Sequence, residues 1–233
     1  MAQAIIAIDM MGGDNAPESM MAGVAEALQR FGDTVRLLLV GDTPVLKEGL
    51  VALGVDIDDP RLEFHHSEQV VGMDEHPAQA VRSKRRSSIC IAADLVKSGA
   101  AQGMFSIGNT GAAVGAAFLK WRMLPGISRP GIATVIPGED NRWVLMDSGA
   151  TVDCTAANLA QFAIMGSAYA RHTLGIASPK VGLLSNGTEE GKGNRATQEA
   201  FQLISSIKDI NFIGNVEGHD LFSSRVDVVV CDG

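Results

Sequence analysis

The chain has 233 residues, of which 46% are hydrophobic and 20% are charged, enough to bury the core of a large α/β domain. Its formal net charge of -8 and its aromatic content of 5% argue against non-specific binding to nucleic acid. The three cysteines, Cys90, Cys154 and Cys231, form no CxxC pair. Their spacing predicts neither a metal site nor a disulfide framework; reduced thiols fit a cytoplasmic protein, and we expect no cofactor.

The first half of the chain alternates short apolar runs with amphipathic ones, the pattern of strands followed by helices. Pro17 stands where a helix favours its first residue, and Met21, Val24 and Leu28 mark one face of that helix. No apolar run approaches the roughly 18 residues that a membrane-spanning helix needs. The predicted strands cover residues 4–8, 35–40 and 62–65, and predicted helices follow Pro17, cover 44–53, begin near Pro77 and cover 89–97.

A strand, a tight turn and a helix are predicted over residues 103–121. The turn is Gly108-Asn109-Thr110-Gly111, in which Asn109 and Thr110 can cap the helix and the glycines let a ligand approach the backbone. Because the first N–H groups of a helix lack internal partners, this turn predicts a seat for an anion such as phosphate. An ordinary capped helix of an α/β sheet is the alternative interpretation.

The second half continues the alternation and predicts a hairpin of strands 132–136 and 143–146. Its apolar strands favour an α/β fold with one mostly parallel sheet covered on both faces, a three-layer α/β/α arrangement formed by residues 1–233 as a single domain. Since the chain stops just after strand 226–230, we expect it to be the N-terminal part of a longer protein. Further predicted helices cover 155–173 and 195–207, and further strands cover 181–184 and 212–213.

Polar, glycine-bearing loops follow several of these strands. In a parallel sheet ligands bind beyond the carboxyl ends of the strands, so these loops are expected to converge on one crevice. Lys192 supplies a mobile positive charge there, and Glu189 could hold that ammonium or carry a proton. Each aspartate in these loops could instead be a simple cap or turn former. The loops in question carry Asp9 to Asp14, Gly108 to Gly111, Asp147 to Gly149, Ser185 to Asn194, and Asp232 with Gly233.

Several common catalytic signatures are absent from the sequence. There is no G-x-S-x-G elbow, no H-E-x-x-H and no G-x-x-x-x-G-K-[ST]. Residues 191–196 match a relaxed dinucleotide-binding pattern, but several residues separate them from the preceding strand. A nicotinamide-dependent dehydrogenase is a weak alternative, and a non-catalytic binding module is another.

A basic run, Arg82, Lys84, Arg85 and Arg86, stands out in this acidic chain. It is either the solvated end of a helix, where cations suit the helix dipole, or a docking patch for an acidic partner.

Five motifs, in matching order, resemble the bacterial phosphate acyltransferases of the PlsX family. Ile8 to Pro17 resembles the family's D-x-M-G-G-D-x-x-P opening, and Ser106 to Ala112 its S-A-G-N-T-G-A segment, with Ile107 in place of a small residue. Asp147 to Asp153 is similar to the D-x-G-A-N-x-D turn, with Thr151 in the asparagine position. Gly182 to Asn194 resembles the G-L-L-N-x-G-x-E-x-x-K-G-N loop, and the final residues resemble the stretch that leads into D-G-F-x-G-N, which this chain does not complete.

The resemblance implies a fold like that of phosphotransacetylases and isopropylmalate dehydrogenases. It implies an enzyme that moves a fatty acyl group from acyl carrier protein to inorganic phosphate for phospholipid synthesis, without a cofactor. It also implies a homodimer, a peripheral membrane contact and a downstream glycerol-3-phosphate acyltransferase. The residues expected to act in catalysis are Lys192, Asn186, Glu189, Asn194 and Asp232; those expected to bind substrate are Gly12, Gly13, Asp14, Gly108, Asn109, Thr110, Gly111 and Asp147; and those expected to dock the acidic carrier are Arg82, Lys84, Arg85 and Arg86.

Overall fold

The computed structural model describes residues 3–233, which form two compact units, residues 3–122 and residues 123–233. We call them the N-terminal unit and the C-terminal unit. Each unit has a sheet of its own, whereas the sequence predicted a single sheet, because strand patterns do not reveal which strands pair. The prediction of one domain over the whole chain stays a prediction.

The N-terminal unit is built on a four-stranded parallel sheet of order β3-β2-β1-β4. Alternation along β1 sends Ile8 into a core with α1 and α2, and sends Ala7 into a second core with α4 on the opposite face. Helices therefore cover both faces, as predicted. The elements are β1 (Ala4–Asp9), α1 (Glu18–Phe31), β2 (Val35–Gly41), α2 (Thr43–Ala52), β3 (Leu62–His66), α3 (Pro77–Ser83), α4 (Ser88–Lys97), β4 (Gly103–Phe105) and α5 (Thr110–Trp121).

The C-terminal unit holds a five-stranded sheet of order β5-β6-β9-β7-β8. The predicted hairpin is confirmed: β5 pairs antiparallel with β6, and the remaining pairs are parallel. Val144, Val181 and Val228 face α6 and α7, whereas Trp143 and Val229 belong to a cluster on the other face. The elements are β5 (Thr134–Pro137), β6 (Arg142–Met146), α6 (Ala156–Tyr169), β7 (Lys180–Leu184), α7 (Arg195–Ser205), β8 (Asn211–Val216) and β9 (Val228–Val230).

Most element boundaries agree with the sequence prediction to within two residues, and two differ by more, for physical reasons. The predicted helix over 155–173 ends as α6 at Tyr169 and continues as a wider turn, Ala170–Leu174, which stops at Gly175 with a φ of 71°. Strand β8 extends to Val216, beyond the predicted end at Ile213. Gly214 reads as a strand breaker in the sequence, but the sheet accommodates it in a bulge, where its φ is 93°.

Among residues 3–233, no helix combines the length and the apolar character required to cross a bilayer.

Candidate functional site

The loops after β1 and β4 meet at a pair of glycines in the N-terminal unit. A Cβ built on Gly12 would lie 2.6 Å from Asp9 Oδ2 and 3.0 Å from the Cα of Gly108, so only glycine fits. The carboxylate of Asp9 is buried and accepts hydrogen bonds from the Ser106 hydroxyl (2.8 Å) and from the Met11 N–H (3.3 Å). We call this contact between residues 9–14 and 106–111 the Asp9 junction.

Asn109 is engaged on both sides of its amide. Its Oδ1 accepts the Ala112 N–H at 3.0 Å, which caps α5 as predicted, and its Nδ2 points to the carbonyl oxygens of Gly72, Met73 and Glu75 at 3.1 to 3.4 Å. The side chain therefore ties the 72–75 segment to the start of α5. Within the described residues, no hydrogen bond occupies the backbone N–H groups of the two positions that follow, Thr110 and Gly111, and these groups are available to an anion.

The C-terminal unit repeats the glycine contact where β6 and β9 end. A Cβ built on Gly233 would lie 2.6 Å from Asp147 Oδ2 and 2.8 Å from the Cα of Gly149. The carboxylate of Asp147 is buried and accepts two short bonds from backbone N–H groups, from Ile132 at 2.7 Å and from Thr151 at 2.6 Å. The bond from the Thr151 N–H closes the turn of residues 147–151 on this carboxylate. We call this contact between residues 147–151 and 231–233 the Asp147 junction.

Two thiols pack against the Asp147 junction. Cys154 Sγ lies 3.4 Å from the carbonyl oxygen of Thr151, and Cys231 Sγ lies 3.4 Å from that of Asp147. Burial, together with the charges of Asp232 and Asp147, raises the pKa of the Cys231 thiol to about 11. Burial is also the main cause that raises the pKa of Cys154. Both thiols are protonated at neutral pH and are poor nucleophiles.

Residues 185–194, which we call the lysine loop, connect β7 to α7. Asn186 Oδ1 accepts the Gly193 N–H at 2.9 Å, and Asn194 Oδ1 accepts the Thr197 N–H at 2.9 Å and so caps α7. These two side chains hold the ends of the loop in place. The sequence predicted this loop and its asparagines as catalytic residues. It did not predict that both side chains accept hydrogen bonds from the backbone.

Lys192 and Glu189 share one side of this loop. A Cβ on Gly187 would lie 2.8 Å from Lys192 Cγ and 3.0 Å from Glu189 Oε2, so both side chains pass over this glycine. Lys192 is exposed, and it takes part in none of the ion pairs found between residues 3 and 233. Its ammonium is therefore free to meet an anionic ligand.

Asn215 contacts the lysine loop and was not predicted from the sequence. It is 1% exposed, lies in β8, and its Nδ2 donates to the carbonyl oxygen of Glu189 in the lysine loop at 2.8 Å. The available signal was a polar residue beside valine in an apolar run. The predicted strand ends at Ile213, so Asn215 lies outside it.

The remaining predicted site residues are exposed or line the junctions. Asp14 and Asp232 are exposed, and Gly13 lies against the side chain of Ile107 in the Asp9 junction. The structure brings Gly12 and Gly13 together with Gly108 in one unit, and Lys192 together with Glu189, Asn186 and Asn194 in the other. That loops from the two units converge on one crevice stays a prediction.

The basic run divides into paired and unpaired residues. Lys84 Nζ lies 2.5 Å from Glu75 Oε1, and the Gly72 N–H and the Lys84 ammonium hold the pKa of Glu75 below its usual value. Lys84 is thus already neutralised. Arg86 makes an exposed pair with Glu68 at 3.2 Å. Among residues 3–233, no acidic group pairs with the exposed Arg82 and Arg85, which line a cavity of about 390 Å³ with Val81, Leu119 and Lys120.

The dinucleotide pattern of residues 191–196 does not form the turn that gives this pattern its meaning. Residues 185–194 separate the end of β7 from the start of α7, so no tight strand-to-helix turn carries the glycines.

The comparisons with known proteins agree with the motifs. The model of the family described as "Fatty acid synthesis protein" matches residues 4–233. The chain belongs to this family. Similar curated relatives are the phosphate acyltransferases of Lawsonia intracellularis, 45% identical over 98% of this chain and 65% of the relative, and of Nostoc punctiforme, 46% identical over 98% of this chain and 66% of the relative. The resemblance to bacterial phosphate acyltransferases is thereby confirmed, and the chain spans about 65% of the length of these relatives.

Solved structures confirm the expected fold. A phosphotransacetylase from Streptococcus pyogenes is 21% identical with a TM-score of 0.72, and the EutD phosphotransacetylase from Staphylococcus aureus is 20% identical with a TM-score of 0.67. Each match covers 98% of this chain and 77% of the solved chain.

Proposed function

We propose that this chain carries the phosphate-binding machinery of an acyltransferase that moves a fatty acyl group from a thioester to inorganic phosphate. Membership of the fatty acid synthesis protein family supports the acyl substrate, and the names of the relatives support phosphate as the acceptor. The observation that carries the proposal is the lysine loop, in which an exposed, unpaired ammonium stands on a loop whose ends are fixed by two asparagines.

The reaction is a direct displacement. A phosphate oxygen attacks the thioester carbonyl carbon, a C–O bond forms, the C–S bond breaks, and the thiolate leaves and takes up a proton. The products are an acyl phosphate and a free thiol. No enzyme nucleophile is needed, which agrees with the protonated state of Cys154 and Cys231.

Lys192 is assigned to the phosphate or to the oxyanion that develops on the carbonyl oxygen. A positioned cation contributes most where charge develops during the reaction, and Lys192 is free to do so. Glu189, which passes over the same glycine, is assigned to orienting that ammonium or to carrying a proton. Asn186 and Asn194 shape the loop, and Asp232 stays a weaker candidate for proton transfer.

The Asp9 junction is assigned to the same substrates. The N–H groups of Thr110 and Gly111 are the donors available at the start of α5. Gly12, which packs against Gly108, and Gly13, which packs against Ile107, hold the loop after β1 beside these donors. Asn109 serves by positioning these donors, because its amide is occupied. Asp14 is a further candidate, whereas Asp147 organises its own junction.

We further propose that the thioester donor is acyl carrier protein and that the product serves phospholipid synthesis in the cytoplasm. An acidic carrier would find the unpaired Arg82 and Arg85, with Arg86 beside them. A homodimer, a peripheral membrane contact and a downstream glycerol-3-phosphate acyltransferase belong to the same proposal.

The test is to incubate the chain with acyl carrier protein thioester and trap acyl phosphate with hydroxylamine. Hydroxylamine also reacts slowly with the thioester itself, so the background without the chain is subtracted, and we expect hydroxamate above that background only when inorganic phosphate is present. Equal amounts with and without phosphate would contradict the proposal, as would no hydroxamate at all. Titration with NADH monitored by fluorescence tests the dehydrogenase alternative, for which a saturable signal is required.

A further inference from the structure

A bulge in β8 places one polar side chain against the lysine loop. The pairing of β7 with β8 steps from Val181 opposite Phe212 to Gly182 opposite Gly214, so Ile213 is the extra residue. Ile213 and Val216 belong to the same cluster although they are three residues apart, which regular alternation forbids. The bulge therefore moves Asn215 to the face opposite to theirs. Bulges of this kind are frequent beside active sites, where they redirect a side chain.

Asn215 is connected to Lys192 through one carbonyl oxygen. The Glu189 carbonyl accepts the Asn215 amide at 2.8 Å and the backbone N–H of Lys192 at 3.0 Å. A carbonyl only accepts hydrogen bonds, so the nitrogen of the Asn215 amide, and not its oxygen, must face Glu189. This single atom thus anchors the turn of residues 189–192 to the sheet.

The oxygen of the Asn215 amide argues against a purely structural role for this residue. Its Oδ1 is buried and has no hydrogen-bond partner among the described residues. An unsatisfied buried acceptor lowers stability, so an apolar side chain here would cost folding little. The residue is better explained by what its nitrogen holds than by its contribution to folding.

We infer that Asn215 is a positioning residue for the proposed acyl transfer, which fixes Lys192 at the place where it meets phosphate. The inference rests on the proposed function, since it assigns Asn215 an effect that passes through Lys192. Loss of the Asn215 amide frees the 189–192 turn, and the ammonium no longer has a defined position. Displacement of a catalytic group by about 1 Å can cost about 10²-fold in rate.

The experiment compares Asn215→Leu and Asn215→Ala with Asn211→Ala in the hydroxylamine assay. Asn211 is the matched control because it is an asparagine of the same strand whose amide also donates to a carbonyl, that of Ser178, at 3.3 Å. We expect both Asn215 variants to lower kcat by about 10- to 10²-fold with an unchanged KM for the thioester, and Asn211→Ala to have no effect. Hydrogen exchange at the Lys192 amide should accelerate in the Asn215 variants only.

A double-mutant cycle distinguishes failure of the role given to Asn215 from failure of the role given to Lys192. In a Lys192→Ala background, Asn215→Ala should change the rate by no more than about twofold, because the residue through which it acts is gone. Additive losses would overturn the inference, and so would unchanged exchange at Lys192 or wild-type kcat in both Asn215 variants. If Lys192→Ala alone keeps the wild-type rate, the role of Lys192 in the proposed function fails instead.

Discussion

The Asp9 junction and the Asp147 junction are built on one plan in two separate sheets. In both, a buried aspartate stands at the end of a strand or directly after it. A Cβ built on the glycine beside it would lie 2.6 Å from the carboxylate and 2.8 to 3.0 Å from the Cα of a second glycine. The partners of the carboxylates differ. Asp147 accepts two short backbone N–H bonds, whereas Asp9 accepts one hydroxyl and one longer N–H bond.

The two carboxylates therefore differ in how strictly their surroundings require a charged acceptor. A carboxylate that accepts fixed backbone donors cannot change without leaving a donor unpaired, so Asp147 locks the turn that contains Thr151. The Ser106 hydroxyl at Asp9 can rotate and can either donate or accept. We therefore expect the Asp9 junction to tolerate a change of its carboxylate better than the Asp147 junction does.

The largest effect on stability is expected from Gly12→Ala, which disrupts the close glycine contact that both junctions have. The added Cβ would meet Asp9 Oδ2 at 2.6 Å and the Gly108 backbone at 3.0 Å, and backbone cannot move aside cheaply. We expect urea unfolding to show a loss of about 2–3 kcal/mol. Gly23→Ala in α1 is the matched control: a Cβ there meets nothing within 4 Å, and alanine should stabilise the helix by about 0.5–1 kcal/mol. Equal effects of the two substitutions would mean that the glycines at the junction are not packed as described.

A smaller loss of stability is expected when each aspartate is replaced with asparagine, and the two losses should differ. In Asp147→Asn an NH₂ group must face the N–H of Ile132 or of Thr151, so we expect a loss of about 2 kcal/mol. In Asp9→Asn the Ser106 hydroxyl can reverse and accept, so the loss should stay below about 1 kcal/mol. Urea unfolding of both variants checks this prediction, and a larger loss for Asp9→Asn would reverse the proposed roles.

The smallest effect is expected at Cys231, whose raised pKa changes the reactivity of the thiol and the pH dependence of stability. With a pKa of about 11, Cys231 should react slowly with iodoacetamide at pH 8, at a rate that rises about tenfold per pH unit up to pH 11. The contribution of this thiol to folding is present below its unfolded pKa of 9.0 and is lost as the pH rises through about 11. Cys231→Ala identifies the reacting residue. A rate that reaches its plateau near pH 9 would show that the thiol is not held as described.

Much of the fold could be predicted from the sequence, because apolar runs and caps are local signals. Asn109 as the cap of α5 and the hairpin of β5 with β6 are examples. The division into two sheets could not be predicted, since pairing depends on contacts between distant strands. Among the site residues, the exposure of Lys192 follows from its glycine-rich surroundings. The pairing of Lys84 with Glu75 links α3 to the loop before it, and the bond from Asn215 to Glu189 spans 26 residues. Neither contact follows from a periodic pattern of residues, so neither could be predicted.

The most direct test of the proposed chemistry is the rate of phosphate-dependent acyl hydroxamate formation in Lys192→Ala, measured beside Lys208→Ala, which removes another exposed lysine of the C-terminal unit. Loss of one charge-stabilising donor costs about 10²–10³ in kcat, so we expect that loss for Lys192→Ala and none for Lys208→Ala. A Lys192→Ala rate within a few-fold of the unmodified chain would contradict the role given to the lysine loop.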